Sequence, residues 1–343
     1  MKALLIRRYG GTDVLEFAEV ERPRPGPGEL GVVVHAAGIN PLDHKIRAGK
    51  LRLLRGQTLP LILGNEVSGV VAEVGPAVTG FAPGDEVYAR LAKDTAGGFA
   101  EQVTVPARYA AVKPKTLGHE QAAAIPLAAL TGWQALTGFG TVGAGSTVLV
   151  HGGAGGVGSF AVQLARHLGA TVVATASARN AELVGELGAE QVVDYRTEAF
   201  ERRMRADGLA ADLVLDTQGG AVLRRSFSVV RRGGSVVSVG AAVPTPASVR
   251  DERAVAPVRG VMAVANLPYR YLARRAGCGY AYLFMRPDGG QLAELATLVD
   301  GGQLRPVLDR VFPFEEAMAA LAHVERGGGP GKTVLTMPAG ATG

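Results

Sequence analysis

The chain has a single cysteine, Cys278, in 343 residues, so no disulfide can form within it and a reducing, cytoplasmic setting is expected. Cys278 itself reads as a small buried hydrophobe rather than a nucleophile. No uninterrupted apolar run approaches the roughly 18 residues of a membrane span. Met1-Lys2 leads into only a short apolar stretch before Arg7-Arg8, so no secretory leader is expected either. Lysine is also scarce. Seven of the 36 basic residues are lysine, so the formal net charge of +5 is carried by arginine. Residues 202–275 hold 13 arginines, no lysine and five acids. Phe227 is the single aromatic residue between Arg224-Arg225 and Arg231-Arg232, fewer than a base-stacking surface would need. Solvated faces are therefore expected there, with a nucleic-acid surface as the alternative.

What is abundant is glycine and apolar residues: 48 glycines, and a hydrophobic fraction of 47% against 20% charged, ordinary for a compact core. Residues 147–158 read Thr-Val-Leu-Val-His-Gly-Gly-Ala-Gly-Gly-Val-Gly. The run Val148-Leu149-Val150 predicts a short buried strand. It enters Gly153-x-Gly155-x-x-Gly158, and residues 159–168 continue with helical spacing. Strand, glycine turn and helix in that order suit a dinucleotide pyrophosphate. Gly153 permits the turn, Gly155 lets the backbone approach the phosphates, and Gly158 lets the helix pack closely. The helix start then offers free N–H groups and a partial positive charge.

The end of the next strand, about 20 residues beyond the glycines, distinguishes NAD from NADP. It reads Ala176-Ser177-Ala178-Arg179-Asn180, with no acid to hold a ribose 2′-hydroxyl or repel a 2′-phosphate. Arg179 can supply a charge-assisted bond of about 1.5–3 kcal/mol, and Ser177 a second donor. NADP(H) is the expected coenzyme, the alternative being a solvated Arg179.

The N-terminal third predicts strands at 30–35, 67–74, 85–89 and 101–105, separated by Pro/Gly turns. Residues 120–137 predict a helix kinked at Pro126. Strands at 148–150, 171–176, 191–195, 212–216 and 235–239 then alternate with helical stretches, as a parallel doubly wound sheet does. Beyond about residue 255 the regularity fades. A last helix at 291–299 and a closing strand at 332–337 are expected to return to the first domain. The expected organisation is an α/β chain with a β-rich domain, 1–118 and 270–343, around a nucleotide domain, 119–269, with the active site between them.

Several segments resemble the medium-chain dehydrogenase/reductase superfamily, in its zinc-independent quinone oxidoreductase and enone reductase branch. They are Ala37-Gly38-Ile39-Asn40-Pro41-Leu42-Asp43, Arg47-x-Gly49, Leu63-Gly64-Asn65-Glu66-Val67-Ser68-Gly69-Val70-Val71, the glycine motif, Asp194-Tyr195 and Gly331-Lys332. The resemblance implies a GroES-like domain joined to a Rossmann domain, and a homodimer. It places Asn40 and Asp43 near the nicotinamide ribose, as positioning groups for catalysis, and Thr131 near the amide. It places Gly153, Ala154, Gly155, Gly156, Val157 and Gly158 on the pyrophosphate, and Ser177, Arg179 and Tyr195 around the 2′-phosphate. Thr217, Val239 and Gly240 would line the dinucleotide, closed by Phe284 and Lys332 from the returning C-terminal segment.

Zinc enzymes of this superfamily take ligands from a Cys near position 40 and a Gly-His-Glu at 64–66. Here those places hold Asn40 and Gly64-Asn65-Glu66, and no close histidine pair compensates, so no metal is expected. Several relatives place a tyrosine after the Arg-x-Gly element as proton donor. The corresponding stretch has none, leaving Lys50, Arg52, Arg55 or water, beside a pocket formed by Leu51, Leu53 and Leu54. The implied activity is hydride transfer from NADPH to a quinone or an α,β-unsaturated carbonyl. A metal-free alcohol dehydrogenase or carbonyl reductase is one alternative. A nucleotide-loaded protein that binds RNA, as relatives of the zeta-crystallin type do, is the other.

Overall fold

The computed structural model describes residues 1–55, 58–92, 97–240, 243–249 and 256–338, without the side chains of Leu53, Arg55 and Ala256. Two compact units are present: Met1–Leu130 with Arg286–Gly343, and Thr131–Met285.

The first unit is built on strand Glu29–Ile39, in which Leu30, Val32 and Val34 are buried while the residues between them are partly exposed. That period of two gives the strand one core face. It sits inside a seven-stranded sheet, between Lys332–Thr336 and Glu66–Val74; Leu308–Pro313 lies beyond the first, and Glu86–Arg90 and Ala110–Val112 beyond the second. Gln102–Pro106 pairs with Glu29–Ile39 as well. A small antiparallel sheet of Leu15–Glu19, Lys2–Ile6 and Leu61–Ile62 accompanies it. Val67, Val71, Val87, Val103 and Val105 fill the core with Leu335 and Phe314 from the C-terminal segment.

The second unit carries a wholly parallel six-stranded sheet. Its order is Gln191–Asp194, Thr171–Ala176, Thr147–His151, Ala211–Asp216, Val230–Ser238 and Gly279–Tyr282. This is the doubly wound Rossmann order, with the first strand central and the chain reversing direction beside it. Both faces of the sheet are covered, so the central strands are continuous apolar runs. Leu149, Val173, Val214 and Val236 pack against Phe200, Met204, Leu223 and Phe227.

The structure corrects several expected boundaries. Residues 120–137 form two helices, His119–Ala123 and Pro126–Gly138, instead of one kinked helix. Proline lacks an N–H but suits the first turn of a new helix. After residue 255 the order does not fade: helices Ala256–Ala265 and Leu267–Ala276 lead to the sixth parallel strand, Gly279–Tyr282. That strand keeps residues 270–285 with the nucleotide unit, so the return to the first unit comes at Arg286, not at 270. The strand itself carries little signal in the sequence, being four residues that open on Gly279. The helix expected at 291–299 spans Gly289–Asp300 and is not the last; Leu308–Pro313 and helix Ala317–Glu325 follow it. Among the described residues, no helix is long and apolar enough to cross a membrane.

Candidate functional site

In the nucleotide unit, four residues, 152–155, join strand Thr147–His151 to helix Gly156–His167. The left-handed turn falls at Gly152, with φ +69°, so the turn residue precedes Gly153. Gly153 is needed for space: a Cβ there would lie 2.9 Å from the Ala174 side chain and 3.0 Å from Val184. At Gly158 a Cβ would run into the Gly152 carbonyl oxygen, so only glycine lets the helix close on its own loop. Ala154 lies in the loop, Gly155 caps the helix, and Gly156 and Val157 open its first turn. First-turn N–H groups lack an intrahelical acceptor, which leaves them for an anion. Gly153 N donates to Thr175 O at 2.9 Å and Gly152 N to Thr175 Oγ1 at 3.1 Å, pinning the loop to the neighbouring strand.

Ser177, Arg179, Tyr195, Thr217, Val239, Gly240 and Phe284 lie at or just beyond the carboxyl ends of the parallel strands. Ser177 is buried at the end of Thr171–Ala176, and Arg179 is exposed in the short turn that follows. Tyr195 is 58% exposed, with the Arg196 guanidinium 5.8 Å from its ring centroid. It is therefore not packed into the core. Among the described residues Arg179 makes no ion pair. Thr217 Oγ1 donates to His151 O at 2.8 Å, and Val239 N donates to Asp216 O at 3.0 Å, with Gly240 next in the chain. Phe284 follows strand Gly279–Tyr282, its ring 5.1 Å from Tyr282, so it belongs to the nucleotide unit and not to the returning segment. Thr131 is buried within helix Pro126–Gly138.

The sequence reading missed two residues here. Asp216 is buried and accepts from Gly219 N at 2.9 Å, Gln218 N at 3.1 Å and Ser238 Oγ at 2.8 Å, shaping the loop after its strand. Burial pushes its carboxyl above the usual range, while these hydrogen bonds oppose the shift. Arg196 adds a second exposed cation beside Tyr195; the adjacent Tyr195-Arg196 pair was its sequence signal.

In the other unit, Asn40, Asp43 and Lys332 come together with Asn65 and Glu66. Asn40 caps helix Pro41–Arg47, its N–H donating to Asp43 Oδ2 at 2.7 Å. Asn65 Nδ2 donates to Asp43 Oδ1 at 2.6 Å. Asn40 Nδ2 donates to Glu66 Oε1 at 2.7 Å, and Leu127 N donates to Glu66 Oε2 at 2.6 Å. Lys332 Nζ donates to Glu66 Oε1 at 2.6 Å, Asn40 Oδ1 at 2.5 Å and Ile39 O at 2.9 Å. Asp43, Asn65 and Glu66 have 0% exposure, Asn40 3% and Lys332 4%. Lys332 is thus a buried cation, and Asp43 presents no surface of its own to a ligand. Burial raises the Asp43 carboxyl to about 6, against the lowering effect of its hydrogen bonds from Asn40 and Asn65. Glu66 was legible as an acid opening an apolar strand, a place where carboxylates need a partner.

This donor set does not fit zinc. The side chains at 40 and 65 are neutral amides, and an ammonium already holds the Asn40 and Glu66 oxygens. Among the described residues no group of three His, Cys, Asp or Glu side chains is placed to hold a metal ion.

The stretch proposed for the proton donor gives less. Lys50 and Arg52 are exposed, Leu54 is buried, and Leu51 packs against the core of the unit. Leu51 and Leu54 therefore serve packing rather than an open pocket, and Leu53 and Arg55 lie outside the described side chains. His151, at the end of strand Thr147–His151, is a core residue: Nε2 lies 2.9 Å from Ser226 Oγ, and burial lowers its pKa to about 3.

Residues 26–125 match the alcohol dehydrogenase GroES-like domain family, and residues 187–335 the zinc-binding dehydrogenase family. The mouse mitochondrial NAD(P)H oxidoreductase RTN4IP1 is 36% identical over 98% of this chain and 89% of its own. The chloroplastic NADPH-dependent alkenal/one oxidoreductase of Arabidopsis thaliana is 33% identical over 98% of this chain and 79% of its own. The solved quinone oxidoreductase of Escherichia coli, complexed with NADPH, superposes with a TM-score of 0.81 at 26% identity, covering 98% of this chain and 100% of that one. The chain belongs to the medium-chain dehydrogenase/reductase superfamily, among relatives that are quinone and enone oxidoreductases. It is an NAD(P)-dependent oxidoreductase, with a nicotinamide coenzyme carried by the Rossmann unit.

Proposed function

We propose that the protein reduces quinones or α,β-unsaturated carbonyls with NADPH and without a metal. The observation that carries the coenzyme reading is an exposed Arg179, with no acid beside it, at the strand end where Ser177 and Tyr195 also emerge. A 2′-phosphate there gains a guanidinium and two hydroxyl donors, while NADH would leave all three without a partner.

Bound NADPH supplies the hydride. The chain's own part is positioning: the glycine loop and first-turn amides take the pyrophosphate, and Asn40 and Asp43 order the backbone at 39–43 through the capping network. With no zinc to polarise an oxygen, alcohols and unactivated carbonyls lack a Lewis acid. Conjugated alkenes and quinones already offer an electron-poor carbon. On a conjugated alkene the hydride would form the C–H bond at the β-carbon, and water would protonate the enolate to the saturated carbonyl. On a quinone one hydride and one proton from water would give the hydroquinone, both new hydrogens ending on oxygen.

The arginine-rich middle supports this reading over RNA binding. Arg225 pairs with Glu201 at 2.6 Å, Arg203 with Asp207 at 2.7 Å, and Arg231 with Asp212. A homodimer and a cytoplasmic setting complete the proposal. Among the described residues strand Gly279–Tyr282 forms one edge of its sheet, the place at which a second copy would pair.

The test is NADPH oxidation against a panel of quinones, enones, enals and saturated aldehydes. Turnover of the first three classes is expected; turnover confined to saturated aldehydes would favour a carbonyl reductase and overturn this reading.

A further inference from the structure

The Lys332 ammonium is enclosed by three oxygens from two distant stretches of chain: Ile39 O, Asn40 Oδ1 and Glu66 Oε1, at 2.9, 2.5 and 2.6 Å. A lysine ammonium has three protons, and each has one acceptor here. The carboxylate it meets has no exposure, and the lysine only 4%. The packing is close as well: a Cβ at Gly38 would collide with the Glu66 carboxylate. Glu66 also reaches Leu127 N, in the first turn of helix Pro126–Gly138, where a negative charge is favoured. One ion pair thus fixes the Asn40 cap, the strand beginning at Glu66 and the start of that helix.

We propose that these three oxygens form a cation cage which the chain fills with its own ammonium, making Lys332 the positioning residue that holds Asn40 and Glu66 in register for coenzyme binding. The inference rests on the coenzyme reading above for its functional consequence, but the cage itself does not depend on it. Without the ammonium, Glu66 keeps the N–H donors of Asn40 and Leu127 and loses the countercharge of Lys332, in a site with no exposed surface. The carboxylate must then take up a proton or move. Either change releases Asn40, whose amide oxygen loses its partner at the same time. The occupant that fits is a primary ammonium, which has three protons for three oxygens at hydrogen-bond distance.

The experiment compares Lys332→Ala, Lys332→Met and the wild type, reading the melting midpoint and NADPH affinity by fluorescence titration. Each is measured with sodium, ammonium, methylammonium and propylammonium chloride at equal ionic strength. Lys332→Ala is expected to bind NADPH at least ten times more weakly and to melt earlier. Propylammonium is expected to restore most of both losses where sodium does not. Lys332→Met, whose side chain blocks the vacated path, is expected to stay impaired in every salt. Wild-type affinity and midpoint in Lys332→Met would overturn the proposal, as would a folded Lys332→Ala that no amine improves. Should Lys332→Ala fail to fold, Glu66→Gln with Lys332→Met is expected to melt above either single variant; a double variant no better than both singles would equally overturn it. If the wild type binds no NADPH, the coenzyme reading fails, while amine-dependent melting still reports on the cage.

Discussion

Ala176 stands opposite Asp194 across two parallel strands, so the residues after them, Ser177 and Tyr195, leave the sheet side by side. The turn carrying Arg179 starts from the same point. Three groups able to bind a phosphate thus share one corner, and the proposed preference for NADPH rests on these two adjacent strand ends.

Replacing Ser177 by Asp together with Arg179 by Ala adds a repelling charge and removes the cation. A lost charge-assisted bond of about 1.5–3 kcal/mol corresponds to roughly a 10- to 100-fold loss. The NADPH preference, measured as the ratio of kcat/KM for NADPH and NADH, should fall by that factor or more. An unchanged ratio would place the 2′-phosphate elsewhere.

Two glycines should respond oppositely to alanine. At Gly158 the methyl group meets the Gly152 carbonyl, and overpacking of this kind costs about 1–3 kcal/mol. Gly158→Ala should lower the melting midpoint and weaken coenzyme binding. Gly185, inside helix Ala181–Glu186, has no positive φ, and a methyl group added there would meet nothing within 4 Å. Gly185→Ala should stabilise by about 0.5–1 kcal/mol. Calorimetry of the two variants checks both signs.

Asp43 and His151 should give opposite pH slopes. The Asp43 carboxyl rises from 3.8 to about 6 on folding, so its favourable contribution is complete below pH 3.8 and is lost as pH rises through 6. His151 falls from 6.5 to about 3, so its contribution is complete above pH 6.5 and is lost as pH falls toward 3. Relative to Asp43→Asn, the wild type should therefore lose stability between about pH 4 and 6.5. Relative to His151→Gln, it should gain stability over the same interval. Denaturant melts at several pH values read both slopes, and a flat difference for either variant contradicts its assignment.

Much of this was legible in the sequence where a local pattern carried the physics. The strand–glycine–helix order, the apolar run at 30–35 after its Pro/Gly segment and the absence of an acid near Ser177 each follow from neighbouring residues. The buried cluster did not. Asn40, Glu66 and Lys332 are far apart in the chain, and Lys332 by itself reads as a solvated surface charge. Only the antiparallel pairing of Thr333 with Ile39 brings its ammonium beside Asn40. The sixth parallel strand was missed for a different reason: Gly279-Tyr280-Ala281-Tyr282 is four residues long and opens on a glycine, too short a run to read as a strand.

The most direct test of the central claim is steady-state reduction of an enone by protein dialysed against a strong zinc chelator, with NADPH and NADH compared in parallel. Full activity after chelation and a clear preference for NADPH are the predicted results. Activity that vanishes on chelation and returns with zinc, or a preference for NADH, would contradict the claim.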